Sequence, residues 1–242
     1  MTIRSVAPLL FVLIVSSFVC RAQTFSVFAA YDERASRALD RVLGDIERPE
    51  QFTVDASQPN PSIQIVSPEV AEDAITVYAN RFWNGRTDDL RAALWRLSKI
   101  RPALDQILAE EGVPSQFSAV VLVESGVNPV ALSPKSARGL WQFMPETASR
   151  YGLVVDSQRD ERTDLFKSTR AAARYLHDLY RDFGEWRLAL AAYDAGEGAL
   201  REAIRRGRSF NFDFLSEQHL IPAETRSYVP AVFAAVNLLK AQ

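Results

Sequence analysis

A carboxylate stands on an apolar stripe near the middle of the chain. Phe117, Val120 and Val121 recur at helical spacing, and Glu124 falls seven residues after Phe117 on the same face. Burying such a group as an unpartnered anion is costly, so it prefers its protonated form and its pKa rises. The segment reads as a helix from Ser115, an N-cap type, to Gly126, a residue that readily takes the left-handed conformation at a helix C-terminus. Glu124 then lies in the last turn, where the negative end of the helix dipole disfavours a further negative charge. A carboxyl that keeps its proton near neutral pH is what general-acid catalysis requires. The same spacing also fits a buried Glu paired with Arg or Lys, or a helix end that turns Glu124 into water.

Other chemistries find little support. His177 and His219 are the only histidines and lack ligand-like companions, and Cys20 is the only cysteine, so neither a zinc site nor an intrachain disulfide is expected. No metal or organic cofactor is called for. The formal net charge is −2, and without residues 1–22 the balance is 26 basic against 30 acidic side chains, about −4. That balance does not suggest nucleic acid as a partner.

The elements that must hold Glu124 can be placed from punctuation and period. Arg4 precedes an apolar run from Pro8 to about Val19, too short to span a bilayer comfortably, and small residues at Cys20 and Ala22 suit cleavage after Ala22. Residues 1–22 therefore read as a secretory signal, with lipidation of Cys20 as the alternative. Residues 23–68 read as an N-terminal extension or linker, with a short helix over 35–46 and a polar, Pro-bearing stretch from Arg48 to Pro68. From Glu69 to Gln242 a helical period dominates, and no convincing β-run appears. Helices are expected from about Pro102 to Glu110, Ser168 to Phe183, Trp186 to Tyr193 and Glu197 to Arg206. A final one opens with Pro222 in its first turn. The fold class is all-α: a single helical domain of about 170 residues with an N-terminal extension.

Four ordered blocks carry a resemblance. They are Glu124-Ser125-Gly126-Val127-Asn128-Pro129 with Ser133-Pro134; Gly139-Leu140-Trp141-Gln142-Phe143-Met144-Pro145; Ala192-Tyr193-Asp194-Ala195-Gly196-Glu197-Gly198; and Glu224-Thr225-Arg226-Ser227-Tyr228-Val229-Pro230. The set resembles the catalytic domain of the family 1 soluble lytic transglycosylases, which have a lysozyme-like fold, and is most similar to the membrane-bound type D branch. The resemblance implies a peptidoglycan lytic transglycosylase. It makes Glu124 the catalytic acid, with Ser133 able to hydrogen-bond the reacting sugar. Gln142 and Met144 would line the groove, Tyr193 would hydrogen-bond near the catalytic carboxyl, and Glu224 and Tyr228 would line or brace the cleft. Read by residue type alone, Met144 and Trp141 also fit simple core, Glu224 a helix cap, and Ser125 a helix end. Asp194 departs from the family pattern, which has Asn there. It reads either as an acceptor held by backbone amides or as a charge that acts on Glu124.

By the same resemblance one carboxyl would work twice. Glu124 would protonate the bond between N-acetylmuramic acid and N-acetylglucosamine, then withdraw a proton from the muramic acid's own primary hydroxyl, leaving a 1,6-anhydro end. The partner would be peptidoglycan glycan strands in the periplasm, or at the outer membrane if Cys20 carries lipid. The N-terminal extension is a candidate contact for cell-wall machinery. A goose-type lysozyme-like hydrolase and a non-catalytic wall-binding scaffold remain the alternatives.

Overall fold

The computed structural model describes residues 68–240, with side chains from Ile75 onward. The signal segment, Cys20, the helix over 35–46 and the extension up to residue 67 lie outside the described residues. The expected all-α class is borne out: the described residues contain helices and three isolated β-bridges, Leu132 with Arg138, Arg138 with Phe143 and Val155 with Asp160.

Helix α1 (Pro68–Phe82) leads into α2 (Thr87–Glu110). The start expected at Pro102 is corrected, because Pro102 lies inside α2. A proline in a helix interior costs about 3 kcal/mol. The buried stripe Leu90, Leu94, Leu97, Ile100, Leu104 and Leu108 continues on both sides of it and holds the helix together. The segment expected as one helix from Ser115 divides into a 3-10 turn (Ser115–Ala119) and α3 (Val120–Ser125). Ser115 does not cap it. Pro114 precedes the turn without a side-chain bond.

After the loop 126–144 come α4 (Pro145–Arg150), a 3-10 turn (Glu161–Thr163) and α5 (Leu165–Phe183). Helix α5 starts earlier than Ser168 because the Asp164 side chain accepts from the Lys167 amide at 2.9 Å, and it stops at left-handed Gly184 as expected. Helices α6 (Trp186–Ala195) and α7 (Glu197–Gly207) meet at Gly196, whose φ of 86° and ψ of 145° suit glycine. Helix α8 (Phe212–Glu217), like α4, is too short for a period to reveal. Pro222 immediately precedes α9 (Ala223–Lys240) rather than opening its first turn.

Helix α5 packs on α2 and α6, and its Leu176 and Leu179 are almost fully buried. Helix α9 lies against α1, α3, the first 3-10 turn and α6. It therefore touches both helices that carry the first and third sequence blocks, and this contact assembles the site.

Candidate active site

Helix α3 is short, and burial fixes its orientation. Phe117 is 2% exposed and Val120 and Val121 are 0% exposed, so the stripe predicted from spacing faces the core and takes Glu124 with it. Ser125 ends the helix: its hydroxyl donates to the Val121 carbonyl at 3.1 Å and accepts from the Asn128 amide at 3.3 Å. Gly126 is left-handed (φ 58°, ψ 30°), its amide donates to Leu122 and that of Val127 to Val121, which satisfies the last helical carbonyls. Val127 is left-handed too, with φ 61°, and completely buried. A β-branched residue in that region costs about 1–2 kcal/mol.

The Tyr228 hydroxyl, from α9, donates to Oε1 of Glu124 at 2.6 Å. Some surface of the Glu124 residue reaches solvent, but its carboxyl is surrounded by protein, and burial pushes its pKa from 4.5 up to about 8. The Tyr228 hydrogen bond opposes that rise, while the charges of Asp194 and Glu224 add to it. Burial and the Glu124 charge also push the Tyr193 and Tyr228 phenols well above their ordinary value, so both stay neutral donors. Tyr193, Asp194, Glu224 and Tyr228 thus all lie within electrostatic reach of Glu124. Glu224 sits exposed in the first turn of α9.

Tyr193, expected to hydrogen-bond near the carboxyl, bonds to the backbone. Its hydroxyl donates to the Trp141 carbonyl at 2.7 Å, while Tyr228 occupies the carboxyl. Tyr193 thereby ties the second block to the third. Trp141 takes the core alternative, fully buried with its indole N–H on the Thr169 hydroxyl at 3.0 Å. Gln142 is left-handed (φ 48°), and its amide nitrogen donates to the carbonyls of Gly139 at 2.9 Å and Ala131 at 3.4 Å. That nitrogen braces the loop instead of facing a groove. Met144 is 40% exposed on extended backbone before α4. Ser133 accepts the Ala137 amide on its hydroxyl oxygen at 3.0 Å, which leaves the hydroxyl proton for another partner.

The sequence did not single out the residues that hold this loop. Arg162 is 5% exposed, pairs through two nitrogens with Asp160, and donates to the carbonyls of Ser136 at 2.7 Å and Phe143 at 3.0 Å. A lone Arg near an Asp carries no sequence signal for such a role. Gly139 approaches Arg162 so closely that a Cβ there would lie 1.9 Å from the Arg162 carbonyl oxygen. A separate hollow of about 610 Å³ lies among Glu110, Glu111, Arg150, Tyr151, Arg174 and Asp178 and includes none of the predicted site residues. Its charged groups already have partners: Arg174 pairs with Glu111, Glu110 with Arg170, Arg150 with Glu197, and Asp178 with Arg181 while accepting from the Tyr151 hydroxyl. Among the described residues no group of three or more His, Cys, Asp or Glu is arranged to hold a metal ion.

The family model of the Transglycosylase SLT domain matches residues 104–214. Membrane-bound lytic murein transglycosylase D of Escherichia coli is 37% identical over 136 residues, which are 54% of this chain and 29% of that protein. A putative tributyltin chloride resistance protein of an Alteromonas species is 35% identical over 111 residues, 44% of this chain and 54% of its own length. The crystal structure of the 70 kDa soluble lytic transglycosylase from Escherichia coli is similar with a TM-score of 0.52 and 25% identity, covering 68% of this chain and 29% of that one. A 70-kDa soluble lytic transglycosylase in complex with bulgecin A gives a TM-score of 0.51 and 26% identity, covering 69% of this chain and 29% of that one. The chain thus spans less than a third of the first relative and about half of the second.

Proposed function

We propose, from the match of residues 104–214 to the Transglycosylase SLT domain, that the chain is a peptidoglycan lytic transglycosylase with Glu124 as its acid. The observation that carries this reading is the Glu124 carboxyl, buried, held by Tyr228 at 2.6 Å and pushed up to about 8. At neutral pH such a group keeps its proton and can give it to the glycosidic oxygen between N-acetylmuramic acid and N-acetylglucosamine. Positive charge developing at the anomeric carbon is taken up by the muramic acid's own N-acetyl group. Glu124, now a carboxylate, then accepts the proton of that sugar's primary hydroxyl, which closes on the anomeric carbon. One water fewer enters the product, and exclusion of water belongs to the chemistry. Tyr228 steadies both forms of Glu124, and Tyr193 holds the loop that carries Ser133, Gln142 and Met144 beside the substrate. Glu224 lies along the cleft.

A second reading has one observation in its favour. Asp194 contributes a further carboxylate within electrostatic reach of Glu124, and two carboxylates are the usual equipment of enzymes that add water. The goose-type hydrolase is therefore the competitor. Mass spectrometry of digested peptidoglycan separates the two, because anhydro ends are lighter by one water. We expect anhydro ends from the chain as it stands and no lysis by Glu124→Gln. Lysis by that variant overturns the assignment, and hydrated ends select the hydrolase.

The proposal includes export by the segment 1–22, work in the periplasm, and residues 23–68 as a linker that contacts cell-wall machinery. Attachment to the outer membrane through Cys20 is its variant. No helix among the described residues is long and apolar enough to cross a membrane.

A further inference from the structure

Arg96 belongs to α2, outside the matched stretch 104–214. Its guanidinium crosses to the turn that ends α3, where Nη2 donates to the Gly126 carbonyl at 2.7 Å and Nε to the Val127 carbonyl at 3.2 Å. Those carbonyls belong to two consecutive left-handed residues, Gly126 at φ 58° and the completely buried Val127 at φ 61°. A planar guanidinium with donors in a fixed fork can bridge two adjacent carbonyls, whereas an ammonium acts as a single point charge. We infer that Arg96 is a positioning residue for Glu124, clamping the strained turn that terminates the helix from which Glu124 reaches Tyr228.

Three observations carry this beyond ordinary helix capping. Glu124 stands two residues before Gly126, so rotation of the turn swings its carboxyl directly. The 2.6 Å contact with Tyr228 comes from a different helix and tolerates little displacement. The groups that most shift Glu124 after burial are Tyr228, Asp194 and Glu224, so the clamp holds the backbone without discharging the acid. The inference rests on Glu124 being the reactive group, as proposed above.

The test uses the full chain and purified peptidoglycan, with anhydro-end release as the rate. Arg96→Ala is expected to lower kcat at least about tenfold with KM within about twofold, since misplacement of a reacting group is paid in the chemical step. Arg96→Lys should recover little of it. Val127→Gly placed in the Arg96→Ala chain should restore kcat several-fold, because glycine takes the left-handed turn without a clamp. A merely structural role predicts the opposite, since that change also strips a buried side chain. Retention of kcat within about twofold by Arg96→Ala, or a further fall in the double variant, overturns the inference. If Arg96→Ala does not fold, Arg96→Gln serves in its place, with one carbonyl still bonded. A crystal structure of the variant decides without reference to activity: the Tyr228–Glu124 hydrogen bond should be broken, and an intact one overturns the clamp. A wild-type chain that releases no anhydro ends refutes the proposed function, and the crystallographic comparison still decides Arg96.

Discussion

Replacing Glu124 by Gln should cost the activity and raise the stability, by an amount that depends on pH. The carboxyl ionises near 4.5 in an unfolded chain and near 8 in the folded one. As pH climbs from 4.5 toward 8 the unfolded state loses this proton while the folded state retains it, so folding stability drains away and levels off above 8. About three and a half decades of proton activity at about 1.4 kcal/mol each give an upper bound near 5 kcal/mol. Solvent contact at the residue reduces that to about 2–4 kcal/mol. Gln does not titrate, and its carbonyl can still accept from Tyr228. Its amide hydrogens add a fixed cost of about 1–3 kcal/mol if left without acceptors, which displaces the curve without changing its slope. Urea denaturation of both proteins from pH 4.5 to 9 measures the effect. The difference should move in favour of Glu124→Gln by about 2–4 kcal/mol between pH 5 and 8 and stay constant above. Parallel curves across that window would refute the claim that the folded chain holds Glu124 protonated near neutrality, and with it the acid role.

Two substitutions move the same titration in opposite directions. Asp194→Asn removes a charge that raises Glu124, so lysis should persist while the alkaline limb of its pH–rate profile moves to lower pH; an unmoved limb discards the coupling. Tyr228→Phe removes the bond that favours the carboxylate, so the limb should move to higher pH and kcat should fall about tenfold, read from kinetics between pH 5 and 9. Gly139→Ala drives a methyl into the Arg162 carbonyl oxygen at 1.9 Å and is strained at φ 83°, so it should cost upward of about 3 kcal/mol in urea. A loss below about 1 kcal/mol would show that the loop yields.

Where burial set a helical period over three turns or more, the sequence revealed the structure. Helices α5 and α9 were expected on that ground, Phe117, Val120 and Val121 marked the inward face of the segment 115–125 although it divides into a 3-10 turn and α3, and Gly126 and Gly184 predicted two helix ends. Pro102 misled, because local rules place a proline in a helix's first turn while the continuous stripe from Leu90 to Leu108 carries the helix through it. Helices α4 and α8 are shorter than the window in which a period can be recognised. At the site, spacing marked Glu124, and the family resemblance marked Tyr193, Asp194 and Tyr228. The exact partners were not legible: Tyr193 donates to the Trp141 backbone carbonyl and Tyr228 to the acid, contacts made only when α6 and α9 pack together. Arg96 and Arg162 escaped notice because the loop groups they hold are backbone carbonyls, which every residue supplies.

The hydrogen bond at Glu124 joins residues 104 positions apart. A growing chain therefore exposes the acid long before it makes the phenol that steadies it. Until α9 docks, Glu124 lacks Tyr228, its hydrogen-bond partner, and Glu224, one of the charges that raise its pKa. If Glu124 is the acid proposed above, its complete surroundings arise only in a late event of folding, the docking of α9.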